Sequence, residues 1–198
     1  MGKVDKEDIL TAFERLVARY GLDKVTIKDL AREAGISVGA IYLHFANKDA
    51  LIVSIEEKWR GHVAQRNEAI LNSGSTPEEK LYDIVVEHVI RFSALIRENR
   101  AVFELLMGAM HLRYIRRTVA DTRKEIFDLM TASTVQVLED GCNQGLFAIE
   151  DTKRTARLFV EAFAEYFSAP EVIKKKHPQV VESAKGMFTL LMKAIRNE

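Results

Sequence analysis

Apolar residues recur along this chain at spacings of three and four, the pattern of helices that bury one face. Ile9, Ala12, Phe13, Leu16, Val17 and Tyr20 form the first such stripe. Asp5 predicts its N-cap with Asp8 three residues on, Val4 is placed to staple against Ile9, and Gly21 is placed to end it in the left-handed conformation. Thr26 and Asp29 make a second cap pair, opening a short helix with Leu30, Ala31 and Ala34 inside and Gly35 at its end. Only Gly35 and Ile36 precede the next cap, Ser37, and a third short helix runs from about Val38 to Phe45. Two short helices joined by a glycine-containing turn are a helix-turn-helix signature. The turn needs a residue at positive φ, which glycine supplies.

The remaining pattern is also helical. Asn47 caps a long helix through Leu51, Ile52, Ile55, Trp59 and Val63. After a loop at Asn72–Pro77, Thr76, Pro77 and Glu78-Glu79 supply a cap, a first-turn proline and an acidic first turn. The next helix carries Leu81, Ile84, Val85, His88, Val89, Phe92 and Ile96, and a shorter one Phe103, Leu106, Met107 and Met110. A long helix covers about Tyr114 to Asn143. Another, opened by Asp151 or Thr152, holds Leu158, Phe159, Ala162, Phe163, Tyr166 and Phe167. A last one starts at Pro178 and shows Val181, Ala184, Phe188, Leu191 and Ile195. The expectation is an all-α protein of about nine helices, with no strand. Residues 1–50 form a three-helix helix-turn-helix domain, and residues 51–198 a larger helical body.

Composition narrows the class. The chain has 198 residues with 47% hydrophobic and 29% charged side chains, enough for a packed core. Lys+Arg and Asp+Glu are 29 each, which excludes a polybasic or acidic tail protein but leaves room for a local DNA-binding patch. Residues 1–51 hold eight basic and eight acidic side chains, so non-specific affinity for DNA is expected to be weak and salt-sensitive. The one cysteine, Cys142, has no internal disulfide partner. There is no apolar run long enough to span a membrane, and the charged N-terminus lacks the apolar core of a signal peptide. A cytoplasmic location is expected, with no membrane contact.

The segment from Thr26 to Leu51 is specific. Ala34-Gly35-Ile36-Ser37-x-Gly39, then Tyr42-x-His44-Phe45, then Asn47-Lys48-Asp49-x-Leu51 resembles the DNA-binding signature of the tetracycline-repressor (TetR) family over about the first 60 residues. The other two thirds resemble the family in length and helical character alone. The resemblance implies a transcriptional regulator, most often a repressor, that binds a palindromic operator as a homodimer and releases it when a small molecule enters the body. Its dimers are built as a four-helix bundle, two helices from each subunit.

Within the motif, Ile41 and Phe45 suit the inner face of the third helix, while Val38, Gly39, Tyr42 and Leu43 turn outward. That is an odd solvent surface and a sensible groove surface. Gly39 permits close approach, and Val38, Ala40 and Leu43 offer apolar contact to thymine methyls. None of these side chains forks onto guanine or adenine, so base readout is modest and DNA shape contributes. Thr26, Lys28, Ser37, Tyr42, His44 and Lys48 are the expected phosphate contacts.

In the body, Phe92, Phe103, Met107, Met110, His111, Tyr114, Phe127 and Met130 are either an effector cavity, as the resemblance implies, or ordinary core. An apolar or aromatic effector is favoured. His88, His111 and Glu104 show no zinc-ligand spacing, and neither a metal nor a cofactor is expected. Phe159, Phe163, Phe167, Ala184, Phe188, Leu191 and Ile195 are the candidate dimer interface; the alternative is that this stripe packs on its own chain. Lys174–Lys176 reads as a solvated loop. No Ser/His/Asp arrangement, phosphate-cradling loop or nucleophile motif supports the competing reading, a ligand-binding helical protein or enzyme with a vestigial helix-turn-helix.

Overall fold

The computed structural model describes residues 5–99, 101, 105, 113–167 and 177–197, with the backbone alone at 113–120, 122, 123 and 177. Among them are eight α-helices: α1 (Lys6–Tyr20), α2 (Ile27–Ala34), α3 (Val38–His44), α4 (Lys48–Leu71), α5 (Pro77–Glu98), α6 (Arg113–Asn143), α7 (Thr152–Glu161) and α8 (His177–Ile195). The expected helix around Phe103–Met110, the Val4 staple and the Lys174–Lys176 loop lie outside the described residues. The described strand-like pairing is one isolated bridge, Phe147 to Arg196.

The chain divides into two compact units, Met1–Arg60 with Ile96–Thr122, and Gly61–Leu95 with Arg123–Glu198. The first is built from well-capped short helices. Asp5 and Asp8 cap each other's backbone N–H groups at 2.9 and 3.2 Å, so α1 starts where the sequence places it. Ile9, Phe13, Leu16 and Val17 of α1 close on Leu30, Ile41, Phe45, Leu51, Ile52 and Ile55. Gly21 does end α1, but at φ 80°, ψ 153°, not in the left-handed helical well. A 3-10 turn, Leu22–Lys24, follows it and buries Leu22, which the helical periodicity does not reveal.

The second unit has a larger core. Leu81, Ile84, Val85 and Val89 of α5 meet Met130, Val137 and Leu138 of α6, Phe159 and Val160 of α7, and Val180, Ala184, Phe188 and Met192 of α8. Phe188 takes Tyr82 and Phe159 edge-on, at 5.2 and 6.0 Å between ring centroids. Buried Asn67 donates to Ser133 Oγ at 3.2 Å, joining α4 to α6 by a polar contact inside the apolar core.

The helix expected through Phe167 stops at Glu161. The chain passes a turn and tightens into a 3-10 segment, Ala164–Phe167. Phe163 donates to Val160 O at 3.0 Å and Tyr166 to Phe163 O at 2.9 Å, both three residues back. In that tighter winding residues three apart share a face, which lets Phe163 and Tyr166 both be buried.

The C-terminus is strapped down. Ala148 N–H donates to Ile195 O at 2.9 Å and Asn197 N–H to Leu146 O at 3.0 Å, on either side of the Phe147–Arg196 bridge. Arg196 Nη2 reaches both oxygens of Glu78, at 2.5 and 2.6 Å.

Candidate nucleic-acid interface

Local chemistry builds the helix-turn-helix. The Thr26 hydroxyl accepts from Asp29 N–H at 3.2 Å and donates to Asp29 Oδ2 at 2.6 Å. That bond, first of all, holds the Asp29 carboxyl below its ordinary range. Arg32 pairs with the other oxygen at 2.9 Å. Gly35 sits at φ 69°, ψ 29° and closes α2 in the left-handed well, the conformation that favours glycine. Ile36 N–H then reaches back to Ala31 O at 3.0 Å. Ser37 Oγ accepts from Ala40 N–H at 3.1 Å and starts α3.

Packing sets the orientation of α3. Ile41 is closed off from solvent and Phe45 nearly so. The opposite face carries Val38, 39% exposed, Tyr42, 52%, and Leu43, 87%. Three large apolar or aromatic side chains in water on a seven-residue helix are unfavourable without a partner surface. Gly39 lies on that face at an ordinary negative φ, and a Cβ there would meet only Ser37 Oγ, at 3.8 Å. The fold therefore does not require this glycine.

The polar candidates are placed unequally. Lys28 and His44 are exposed on the surface, and His44 lies against Phe45 with ring centroids 6.5 Å apart. Ala40 is half-buried. Thr26 and Ser37 are exposed but their hydroxyls serve the caps, so Thr26 donates to a phosphate only by giving up Asp29. Lys48 is half-buried and its ammonium donates to Leu22 O. Desolvation lowers its pKa, with Asp23 and Asp49 opposing. Lys48 is thus a strut from α4 to the 3-10 turn, with ammonium hydrogens to spare for a phosphate. Asn47 caps α4 through Ala50 N–H at 2.9 Å.

One polar candidate escaped the sequence reading. Lys6 lies over the Phe45 ring, 5.4 Å from its centroid, at an open recess of about 570 Å³ shared with His44 and Asn47. It sits far from the motif in sequence, and only the packing of α1 against Phe45 brings it there.

In the second unit the candidate effector residues separate. Met130 is fully buried core, while Phe92 and Phe127 are half-buried. Phe103, Met107, Met110 and His111 lie outside the described residues, as does the side chain of Tyr114. Among the candidate dimer residues, Phe159, Phe163, Ala184, Phe188 and Ile195 are closed over by their own chain, and Phe167 and Leu191 are half-buried. Packing on the same chain thus covers five of these seven side chains, and Phe167 and Leu191 keep accessible surface. What α7 and α8 expose instead is Leu158, 55%, and Leu190, 64%. Among the described residues no helix is long and apolar enough to cross a membrane, and no cluster of three metal-ligating side chains is present.

A capped helix-turn-helix presenting an apolar recognition face, joined to an all-helical body, defines a DNA-binding transcriptional regulator. Residues 9–55 match the family of bacterial regulatory proteins, tetR family. The fatty acid metabolism regulator protein of Bacillus subtilis is 22% identical over 191 residues, spanning 96% of this chain and 95% of that one. Two solved structures share the fold. Bacillus subtilis FadR in complex with stearoyl-CoA has a TM-score of 0.66 at 19% identity, over 95% of this chain and 98% of its own. SmeT, the repressor of the Stenotrophomonas maltophilia multidrug efflux pump SmeDEF, has a TM-score of 0.68 at 18% identity, over 99% and 92%. Residues 9–55 are thus a DNA-binding domain of the tetR type.

Proposed function

We propose that this protein is a ligand-responsive repressor that binds a palindromic operator as a homodimer, with residues 1–50 on DNA and residues 51–198 holding effector and partner subunit. The observation that carries the reading is the outer face of α3: exposed Val38, Tyr42 and Leu43 beside a glycine the fold does not need. A surface of methyls, a phenol ring and bare backbone fits a major groove, where it reads thymine methyls and groove shape. Lys28, Tyr42, His44 and Lys48 then hold the phosphates, joined by Lys6, while Thr26, Ser37 and Ala40 position the two helices. Two-fold symmetry would set two copies of α3 in successive major grooves, about 34–36 Å apart.

The effector is a small molecule in the body, bound more tightly by the form whose recognition helices are wrongly spaced for the operator, so that binding releases DNA. The complex of Bacillus subtilis FadR with stearoyl-CoA supports a ligand-responsive reading. For the partner subunit, α8 offers the uncharged exposed positions Ser183, Gly186, Leu190 and Ala194, and α7 offers Leu158. These exposed positions replace the buried phenylalanines as the interface.

The test is selection of bound sequences from a random duplex pool with the full chain, alongside a Tyr42→Ala, Lys48→Ala variant whose helical content and dimerisation are checked first. The expected result is a two-fold symmetric site for the parent protein, with affinity reduced about 100-fold or more in the variant. Enrichment of no sequence at low salt by the folded protein would overturn the reading.

A further inference from the structure

Residues four apart on a helix stand one above the other. On α3, Val38 is so placed with Tyr42, and Gly39 with Leu43, and the four make one outward surface of two rows. Leu43 is the most exposed large hydrophobic side chain among the described residues, with Val38 and Tyr42 exposed beside it. Ala40 is half-buried, so Val38 and Leu43 remain as the apolar side chains free for contact. The turn before Leu43 is bare, because Gly39 has no side chain and a Cβ there would meet only Ser37 Oγ, at 3.8 Å.

The hydrogen-bonding inventory of this surface is as informative as its apolarity. Val38, Gly39, Ala40 and Leu43 have no polar side-chain atom. The Ser37 hydroxyl oxygen accepts from Ala40 N–H in the cap, and Tyr42 and His44 are assigned to phosphates above. The helix holds no Arg, Lys, Asn or Gln, the side chains that fork onto guanine or adenine. Such a surface does not separate a donor from an acceptor on the groove floor. What it registers is bulk, and the bulk in the major groove is the C5-methyl group of a pyrimidine. Thymine carries that methyl beside an acceptor, O4, and 5-methylcytosine carries the same methyl beside a donor, its 4-amino group. A reader of hydrogen bonds tells these two bases apart, whereas a reader of methyls does not.

We propose that Val38 and Leu43 recognise C5-methyl groups whichever pyrimidine carries them, so that 5-methylcytosine replaces thymine in the operator and cytosine methylation turns a weak site into a strong one. The inference rests on the DNA-binding reading above and names the chemical class of duplex that α3 takes. Gly39 lets the helix lie close to the groove floor, which brings both side chains to the depth of the methyls. The sequence alone offers Val38, Ala40 and Leu43 alike for thymine contact. The exposures single out two of them and show no polar group between them to read the rest of the base.

The experiment measures the affinity of the full-length protein for the operator recovered by selection, at one fixed low salt concentration. Each thymine·adenine pair in turn, in both half-sites, is replaced by uracil·adenine, cytosine·guanine or 5-methylcytosine·guanine. Two comparisons isolate the methyl at constant pairing: thymine against uracil, and 5-methylcytosine against cytosine. Where α3 lies, each methyl is expected to be worth about fourfold, as for one buried CH2 group, and the symmetric pair about fifteenfold. Both comparisons should give the same ratio. Leu43→Ala and Val38→Ala, with helical content checked first, should each erase the methyl preference at a different position. A preference that arises from DNA shape would survive both substitutions. If uracil binds as tightly as thymine throughout, if 5-methylcytosine gains nothing over cytosine, or if both folded variants keep the full preference, the inference is overturned. The DNA-binding reading then stands, because the operator is still bound. A selected half-site with no thymine overturns the inference as well. If no sequence is enriched, both fail.

Discussion

At the scale of single residues, most of what matters here is decided by what surrounds a side chain, not by its type. His88 is an example. Its folded-state pKa of about 4 lies below the ordinary 6.5. Above pH 6.5 both folded and unfolded chains carry a neutral imidazole. Between 6.5 and 4 the unfolded chain takes up a proton that the folded one refuses, so stability is lost as pH falls through that window, by up to about 3 kcal/mol. Urea unfolding at pH 7.5, 6 and 5 should show this decline, and His88→Gln should flatten it. A profile identical in the two proteins would mean that His88 is solvated. Gly141 makes the same point by packing. A Cβ there would lie 2.1 Å from the Phe147 ring, which the chain holds by backbone bonds from Leu146 and Phe147 to Gly141 O. Gly141→Ala should lose about 1–2 kcal/mol, the overpacking cost exceeding the gain in helix propensity. Gly61 lies in α4 with nothing within 4 Å of its would-be Cβ, so Gly61→Ala should gain up to about 1 kcal/mol. A pair of midpoints shifting in the same direction would refute this account.

At the scale of elements, the parts legible in the sequence are those whose cause is local. The pairs Asp5/Asp8 and Thr26/Asp29 act over three residues, and the caps form where the sequence places them. Ile41 and Phe45 face inward because four residues make about one turn. Long-range causes leave no such trace. The bond from Lys48 to the Leu22 carbonyl spans 26 positions, and nothing in either neighbourhood announces it. The break after Glu161 is similar. Phe159, Phe163 and Tyr166 suit a continued α-helix by spacing, and only the packed core selects the tighter turn that buries the last two. Periodicity identifies an apolar face but not the surface that covers it, which is why Phe159, Phe163 and Phe188 read equally well as core or interface.

At the scale of the whole molecule, the partner surface has to be found among the residues left over when the core is complete. On α8 the exposed positions Ser183, Gly186, Leu190 and Ala194 recur at spacings of three and four and carry no charge. They flank half-buried Met187 and Leu191. Lys185, exposed on the same helix, lies off that line, and exposed Lys193, three residues after Leu190, borders it. Small residues allow close approach of a second helix, and the single large side chain, Leu190, supplies the anchor. Leu158 has the same role on α7, among exposed Lys153, Arg154, Arg157 and Glu161. Placing a carboxylate at each anchor would replace the apolar contact by two charges per subunit that the interface would have to desolvate. Leu158→Glu with Leu190→Glu should therefore yield a folded monomer by sedimentation at micromolar concentration, with unchanged helical content because both positions are already in water. Its affinity for a two-fold symmetric operator should fall by 100-fold or more, while Phe188→Ala, in the core, should lower thermal stability by about 3–5 kcal/mol before it affects assembly. A double variant that stays dimeric would move the interface elsewhere and leave the exposed leucines of α7 and α8 without an assigned partner.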